Sequence, residues 1–379
     1  MANAMQAAID DPPSKAPPMS TPDDGGVEAQ DDGDADGDAG MDFESNLDPT
    51  GPGDWTAGDY PPALREEEYL ELSDVRGQRN RTREYKVHVP PGYDPKTPTP
   101  LLFCIHGLGQ SAVLFCVNGT GMHEKADEEG FILVMPNGYQ NSWNGGVCCG
   151  AAASDRLDDV AFFRAIFAEL SDHLNIDRNR VYATGHSSGA FMSYRLACEA
   201  ADLFTAIAPS AGLIGINGVL NRNLAADLFA VIAPTAGLFG LDSVFSGTTI
   251  PNSDFEECRP SRPVPVLDIH GEDDPLVPFS AKRGTLELLQ KRYDCDSEPV
   301  PARAPESRRD TTCVSYEGCS NDTEVTACVV EDGGNCWFGS GNCGTGAGLV
   351  GQAFAGRDSE YLRNTVAVWE FFERVSASP

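Results

Sequence analysis

The sequence predicts an α/β fold, with a mostly parallel central sheet and helices on both faces. Two observations predict it. From about residue 66, short apolar runs recur that do not alternate with polar residues, and stretches with helical spacing separate them. Strands buried on both faces read as continuous apolar runs, and their regular alternation with helices is the pattern of a parallel sheet under helical cover.

The run Leu101-Leu102-Phe103-Cys104-Ile105 is the clearest of these strands. Phe131 to Met135, Val181 to Thr184 and Val264 to Ile269 have the same character. Between them, Val160, Phe163, Phe167 and Leu170 lie at helical spacing behind Asp158 and Asp159, two carboxylates suited to a helix N-terminus. A last helix is expected from about Ser359 to Val375, packing Tyr361, Leu362, Val366, Val368, Trp369 and Phe372 on the sheet.

Residues 1–60 differ in kind. They carry 15 acidic side chains against the single Lys15 and few apolar residues, so that segment is expected to be disordered. It accounts for −14 of the formal charge of −31, which leaves −17 on residues 61–379, the expected single folded domain. No basic patch is visible, so nucleic acid is an unfavourable partner. No apolar run is long enough to cross a membrane. No Gly-rich dinucleotide or phosphate-binding string stands in a suitable setting, and no cofactor is expected.

Two further features concern organisation. The stretch from Ala200 to Gly215 recurs 25 residues later, from Ala225 to Gly240, with 12 of 16 positions identical. Solenoids need about three or more copies. This is a local tandem duplication, in which one copy is expected to form a strand and the other a surface excursion. Twelve cysteines, with neither a CxxC pair nor a zinc-like Cys/His spacing, read as disulfides, and hence as secretion, although no signal peptide is visible. The two Asn-X-Thr strings beginning at Asn118 and Asn321 are too short to carry weight.

The chemistry centres on Gly185-His186-Ser187-Ser188-Gly189. A strand-like run, Arg180 to Thr184, precedes it, and a helix-like run, Ala190 to Ala197, follows. Strand, sharp turn and helix in that order form a nucleophile elbow, which exposes the Ser187 hydroxyl at a helix N-terminus. An ester hydrolase also needs donors for the oxyanion of its transition state. His106-Gly107-Leu108-Gly109 follows the 101–105 strand, where such a donor is placed, so Leu108 is nominated beside the N–H of Ser188. His106 itself reads as a structural residue of that loop. The acid is expected after a later strand, where His270-Gly271-Glu272-Asp273-Asp274 supplies carboxylates; Asp274 is preferred to Asp273, and Glu272 comes third.

Together these stretches resemble the secreted polyhydroxybutyrate depolymerase and feruloyl esterase group of the α/β-hydrolases, which also holds acetylxylan esterases. The resemblance runs from about Arg81 to Phe372. It includes Ser142-Trp143-Asn144 with Cys148-Cys149-Gly150, Asp158-Asp159-Val160, the elbow, His270 through Pro278, and Tyr316-Glu317-Gly318-Cys319 through Gly334. It implies a serine esterase acting on a polyester or a plant polysaccharide ester, with Trp143, Trp337 and Phe338 either lining an acyl pocket or packing in the core.

One position departs from that group. The resemblance implies a catalytic His after the last glycines and before a Trp, but the chain reads Gly333-Gly334-Asn335-Cys336-Trp337. Only six histidines occur and none lies beyond His270. A carboxamide has no usable pKa for taking and returning the serine proton. The expectation is therefore an impaired esterase, or a pseudo-esterase that binds its ester ligand without turnover.

Overall fold

The computed structural model describes residues 70–72 (backbone only), 82–146, 148–215, 258–302, 310–341, 343, 356–359 and 361–377. All fall in the second of two units into which the chain divides, Pro52–Pro379. The acidic segment of residues 1–60 and the second copy of the duplication lie outside the described residues.

In chain order the elements are β1 (Leu70–Leu72), β2 (Arg83–His88), β3 (Thr99–Ile105), α1 (Met122–Glu129), β4 (Ile132–Pro136), α2 (Gly150–Ser154) and α3 (Asp159–Ser171). Next come β5 (Ile176–His186), α4 (Ser188–Glu199), β6 (Ala206–Ser210), β7 (Val266–Gly271) and α5 (Lys282–Tyr293). The last are β8 (Val300–Ala302), β9 (Thr311–Tyr316), β10 (Val325–Val330) and α6 (Asn364–Ser376). The strands form one sheet in the order β1-β2-β4-β3-β5-β6-β7-β10-β9-β8. Its centre, β4 to β10, is parallel. Antiparallel strands extend both edges.

Side chains of β3 alternate between the two faces. Leu101, Phe103 and Ile105 join a core with Phe163 and Phe167 of α3, Tyr194 and Leu196 of α4, and Leu289 of α5. Leu102 and Cys104 join the opposite core with Met122 of α1 and Trp369 and Phe372 of α6. Both faces of the sheet are covered, as the unbroken apolar strands require.

The four expected strands are β3, β4, β5 and β7. In α3 the expected apolar positions are buried, and Asp158 caps the helix by accepting from the Ala161 N–H at 2.9 Å. Asp159 does not act as a cap. It is fully buried and pairs with Arg83 at 2.7 Å. The last helix starts at Asn364, later than expected. The Ser359 hydroxyl accepts from the Tyr361 and Leu362 N–H groups at 3.1 and 2.8 Å, a local turn that competes with helix. Tyr361 therefore lies before the helix and is exposed.

The first copy of the duplication supplies β6, between β5 and β7. All twelve cysteines pair: Cys104–Cys116, Cys148–Cys149, Cys198–Cys258, Cys295–Cys319, Cys313–Cys328 and Cys336–Cys343. The Cys198–Cys258 bridge ties the end of α4 to the approach to β7.

Candidate active site

β5 ends at His186, and α4 begins at Ser188. Ser187, between them, has φ 53° and ψ −117°, a backbone that L-residues avoid unless the surroundings impose it. The surroundings are two glycines. A Cβ on Gly185 would collide with the Gly189 carbonyl, and one on Gly189 with the Ile105 and His106 carbonyls. Glycine at both positions lets the turn close and lets the loop after β3 lie against it. The Ser187 N–H is anchored to the Ser210 carbonyl at 3.0 Å. Its neighbours His186 and Ser188 are buried, while Ser187 is only half-buried. Ser188 opens α4, so its N–H has no acceptor within the helix.

The loop after β3 is held by His106, which is fully buried. One ring nitrogen, Nε2, lies 2.9 Å from the Gly138 N–H and must accept from it. The proton is therefore on Nδ1, which donates to the Gly107 carbonyl at 2.7 Å. That carbonyl belongs to the same peptide group as the Leu108 N–H, and in a trans peptide the two point in opposite directions. Fixing the Gly107 oxygen on the ring thus turns the Leu108 N–H outward. The N–H groups of Gly107, Gly109 and Gln110 donate to the Gln110 side chain, Asn141 and Gly107 respectively. Among the described residues, nothing accepts from the Leu108 N–H. Burial pushes the His106 imidazole down to about 4, so it stays neutral in this clamp.

Asp274 lies beyond the end of β7. It is buried, whereas the neighbouring carboxylates Glu272 and Asp273 are exposed. Its Oδ1 accepts from the Leu276 and Val277 N–H groups, both at 2.8 Å. Its Oδ2 accepts from the Asn335 Nδ2 at 2.8 Å. Burial raises the carboxyl to about 7, and these donors together with the Lys282 charge oppose the rise. Asn335 lies on the loop after β10 and is buried. The two loops touch because Gly271 has no side chain: a Cβ there would collide with the Gly333 carbonyl.

Two more histidines are close. His186 stacks on Phe115 with centroids 5.8 Å apart, and its ring hydrogen-bonds the backbone of Asn335. The residue before Ser187 thereby braces the loop that carries Asn335. His270 Nε2 donates to the Val277 carbonyl at 2.7 Å and lies 3.4 Å from Asp274 Oδ2. Burial pushes His186 down to about 4 and His270 well below the ordinary imidazole value. Both are neutral supports of the loops.

Trp143, Trp337 and Phe338, offered by the sequence either for a pocket wall or for the core, are all buried. Trp143 is fully buried, and its indole N–H donates to the His106 carbonyl at 3.0 Å. Trp337 is buried edge-on to Phe115 and donates to the Thr365 hydroxyl at 2.9 Å. Phe338 is buried in the same core. With their faces packed and their N–H groups satisfied, these rings offer no open face to a substrate. Trp143 instead supports the loop after β3.

Sequence reasoning also missed a buried cluster of Asp268, Lys282 and Tyr194. Its signal was present. A carboxylate inside the apolar run Val266-Leu267-Asp268-Ile269 demands a buried partner.

A serine on a strained strand-to-helix turn at the carboxyl ends of parallel strands is the arrangement of the α/β-hydrolase fold. The fold agrees with the acetyl xylan esterase from Aspergillus awamori, at 15% identity and a TM-score of 0.50 over 71% of this chain and 94% of that one. A family profile described as Esterase matches residues 77–232. Feruloyl esterase C of Emericella nidulans is 27% identical over 296 residues, 76% of this chain and 83% of the relative. Feruloyl esterase B of Piromyces equi is 26% identical over 272 residues, 67% of this chain but only 42% of the longer relative. The chain is thus similar in sequence to feruloyl esterases and shares the α/β-hydrolase fold.

Proposed function

We propose that this chain is an ester hydrolase of feruloyl or acetylxylan type in which turnover is strongly reduced because Asn335 stands in the place of the base. Ser187 is the nucleophile, Asp274 the orienting acid, and the N–H groups of Leu108 and Ser188 receive the oxyanion. The observation that carries the reading is the 2.8 Å bond from Asn335 Nδ2 to Asp274 Oδ2. An imidazole in that place would give one N–H to the acid and keep a lone pair for the serine proton. The carboxamide gives its N–H to the acid and keeps only a carbonyl oxygen, too weak a base to accept that proton. Loss of the triad His costs roughly a millionfold in turnover in a comparable serine hydrolase.

The same bond favours a second reading, in which the chain binds its ester without hydrolysing it. Asp274 and Asn335 satisfy each other in the interior, so the site is stable without a base. Six disulfides favour an oxidising, extracellular setting for either reading.

The test is to assay the unaltered chain and Asn335→His on methyl ferulate, an acetylated xylan oligomer and a 3-hydroxybutyrate oligomer. The reading expects the variant to gain activity, with a plant-type ester preferred. A preference for the hydroxybutyrate oligomer would move the substrate class to polyesters. Tight binding of an ester by the unaltered chain, with no activity in the variant, would favour the binding protein.

A further inference from the structure

Behind the acid loop lies a buried charge cluster that the chemistry above does not use. Lys282, the first residue of α5, and Asp268, in the middle of β7, are each 1% exposed. They form an ion pair at 2.7 Å. The Tyr194 hydroxyl of α4 donates to the same carboxylate oxygen at 2.8 Å. The ammonium also donates to the Gly212 carbonyl and lies 5.4 Å from the centre of the Tyr194 ring.

The places these groups come from give the cluster its meaning. Asp268 precedes the acid loop and Lys282 follows it, so the ion pair closes the segment that carries Asp274. Gly212 follows Ser210, whose carbonyl anchors the Ser187 N–H, and Ala211, whose N–H donates to Ile269 in β7 at 2.9 Å. Tyr194 belongs to the helix that starts at the elbow. A buried ion pair adds little net stability compared with apolar packing of the same volume. What it does supply is a fixed geometry, in which burial disfavours the charge on each partner and the other's charge opposes that effect.

We propose that Lys282 is a positioning residue for the acid: its pair with Asp268 clasps the two ends of the loop that carries Asp274, ties that loop to the underside of the elbow, and presents a positive charge to Asp274. The proposal rests on the reading of Asp274 as the orienting acid. Asp274 otherwise faces the neutral imidazole of His270 from β7, the Asn335 amide from the loop after β10, and the Leu276 and Val277 N–H groups of its own loop. His186, neutral, stands behind His270. Among the described residues, Lys282 contacts Asp268, Tyr194 and the Gly212 carbonyl, and its charge also acts on Asp274 and His270. Among the described residues, Lys282 is the cation that acts on Asp274, and it favours the ionised carboxylate.

The test reads Asp274 itself, in the chain as it exists. Aspartate labelled with 13C at the carboxyl carbon is titrated by NMR in the unaltered chain, in Lys282→Met and in the double variant Asp268→Asn/Lys282→Met. The double variant avoids stranding the Asp268 charge, and Asp274→Asn assigns the signal. The expected result is an upward shift of the Asp274 midpoint, on the order of one pH unit, in both variants. Lys282→Arg should restore the midpoint to near its original value. A purely structural role predicts lower thermal stability with the midpoint unmoved, and that result in a folded variant would overturn the proposal.

A second readout separates this proposal from the reading it rests on. In an Asn335→His background, Lys282→Met should lower kcat more than it raises KM and should displace the acidic limb of the pH profile. Equal kcat and pH profiles with and without Lys282 would overturn the proposal. An inactive Asn335→His parent would overturn the reading of the base position, and the NMR midpoint would still decide the role of Lys282.

Discussion

His106 links the loop after β3 to acid stability, and the structure sets the size of the link. The folded protein lowers this imidazole from 6.5 to about 4, through burial. A lowered histidine contributes stability that is complete above the unfolded value and is lost as pH falls through the folded one. A depression of about 2.5 units corresponds to about 3 kcal/mol. Protonation would set a second N–H against the Gly138 N–H and so break the ring's hold on that loop. The perturbation is His106→Gln, and the assay is urea unfolding of both proteins between pH 7.5 and pH 4.5. At pH 7.5 the variant should be the less stable. The gap should narrow by about 2 kcal/mol by pH 4.5, because only the unaltered protein still has this imidazole to protonate. A gap that stays constant with pH would refute the buried neutral clamp.

Asp274 should show the opposite pH dependence. Its carboxyl is raised to about 7, so the fold favours the protonated form, and stability falls as pH rises from the unfolded carboxylate value toward 7. Asp274→Asn should gain stability relative to the unaltered protein between pH 5 and pH 8, by up to about 1.4 kcal/mol per pH unit, measured by thermal or urea unfolding. Gly189→Ala should fail to give soluble folded protein, since its Cβ would collide with the Ile105 and His106 carbonyls; a folded variant with an ordinary melting curve would refute the tight elbow. Replacing Cys198 and Cys258 together by serine opens a closed loop with a sequence separation of 60, and should cost about 4 kcal/mol on the chain-entropy argument, read as a lower melting temperature.

The parts of the site that depend on local chain geometry were legible in the sequence. Gly185, Ser187 and Gly189 sit between a strand pattern and a helix pattern, and the structure makes that turn. Asp274 stood out from Asp273 and Glu272 only as a preference, because all three lie on one loop and burial is a property of the folded neighbourhood. Parts that depend on which side chains meet across the sheet were not legible. Trp143 and Trp337 have the composition of a pocket wall and are core residues with satisfied N–H groups. Asp159 reads as a helix-terminus carboxylate, but its partner is Arg83, 76 residues away in the chain. The pairing of the cysteines, and the choice of the first duplicated copy for β6, follow from sheet order, which local pattern does not encode.

The central claim is that a serine hydrolase site is assembled around Ser187 and lacks only its base. The most direct measurement is the steady-state rate of Asn335→His against the unaltered chain on a p-nitrophenyl ester at pH 8, with Ser187→Ala in the same background as control. The account predicts a gain on the order of a thousandfold or more, abolished by Ser187→Ala. A folded Asn335→His protein no faster than the unaltered chain, or an unaltered chain that already turns over at an ordinary esterase rate, would contradict it.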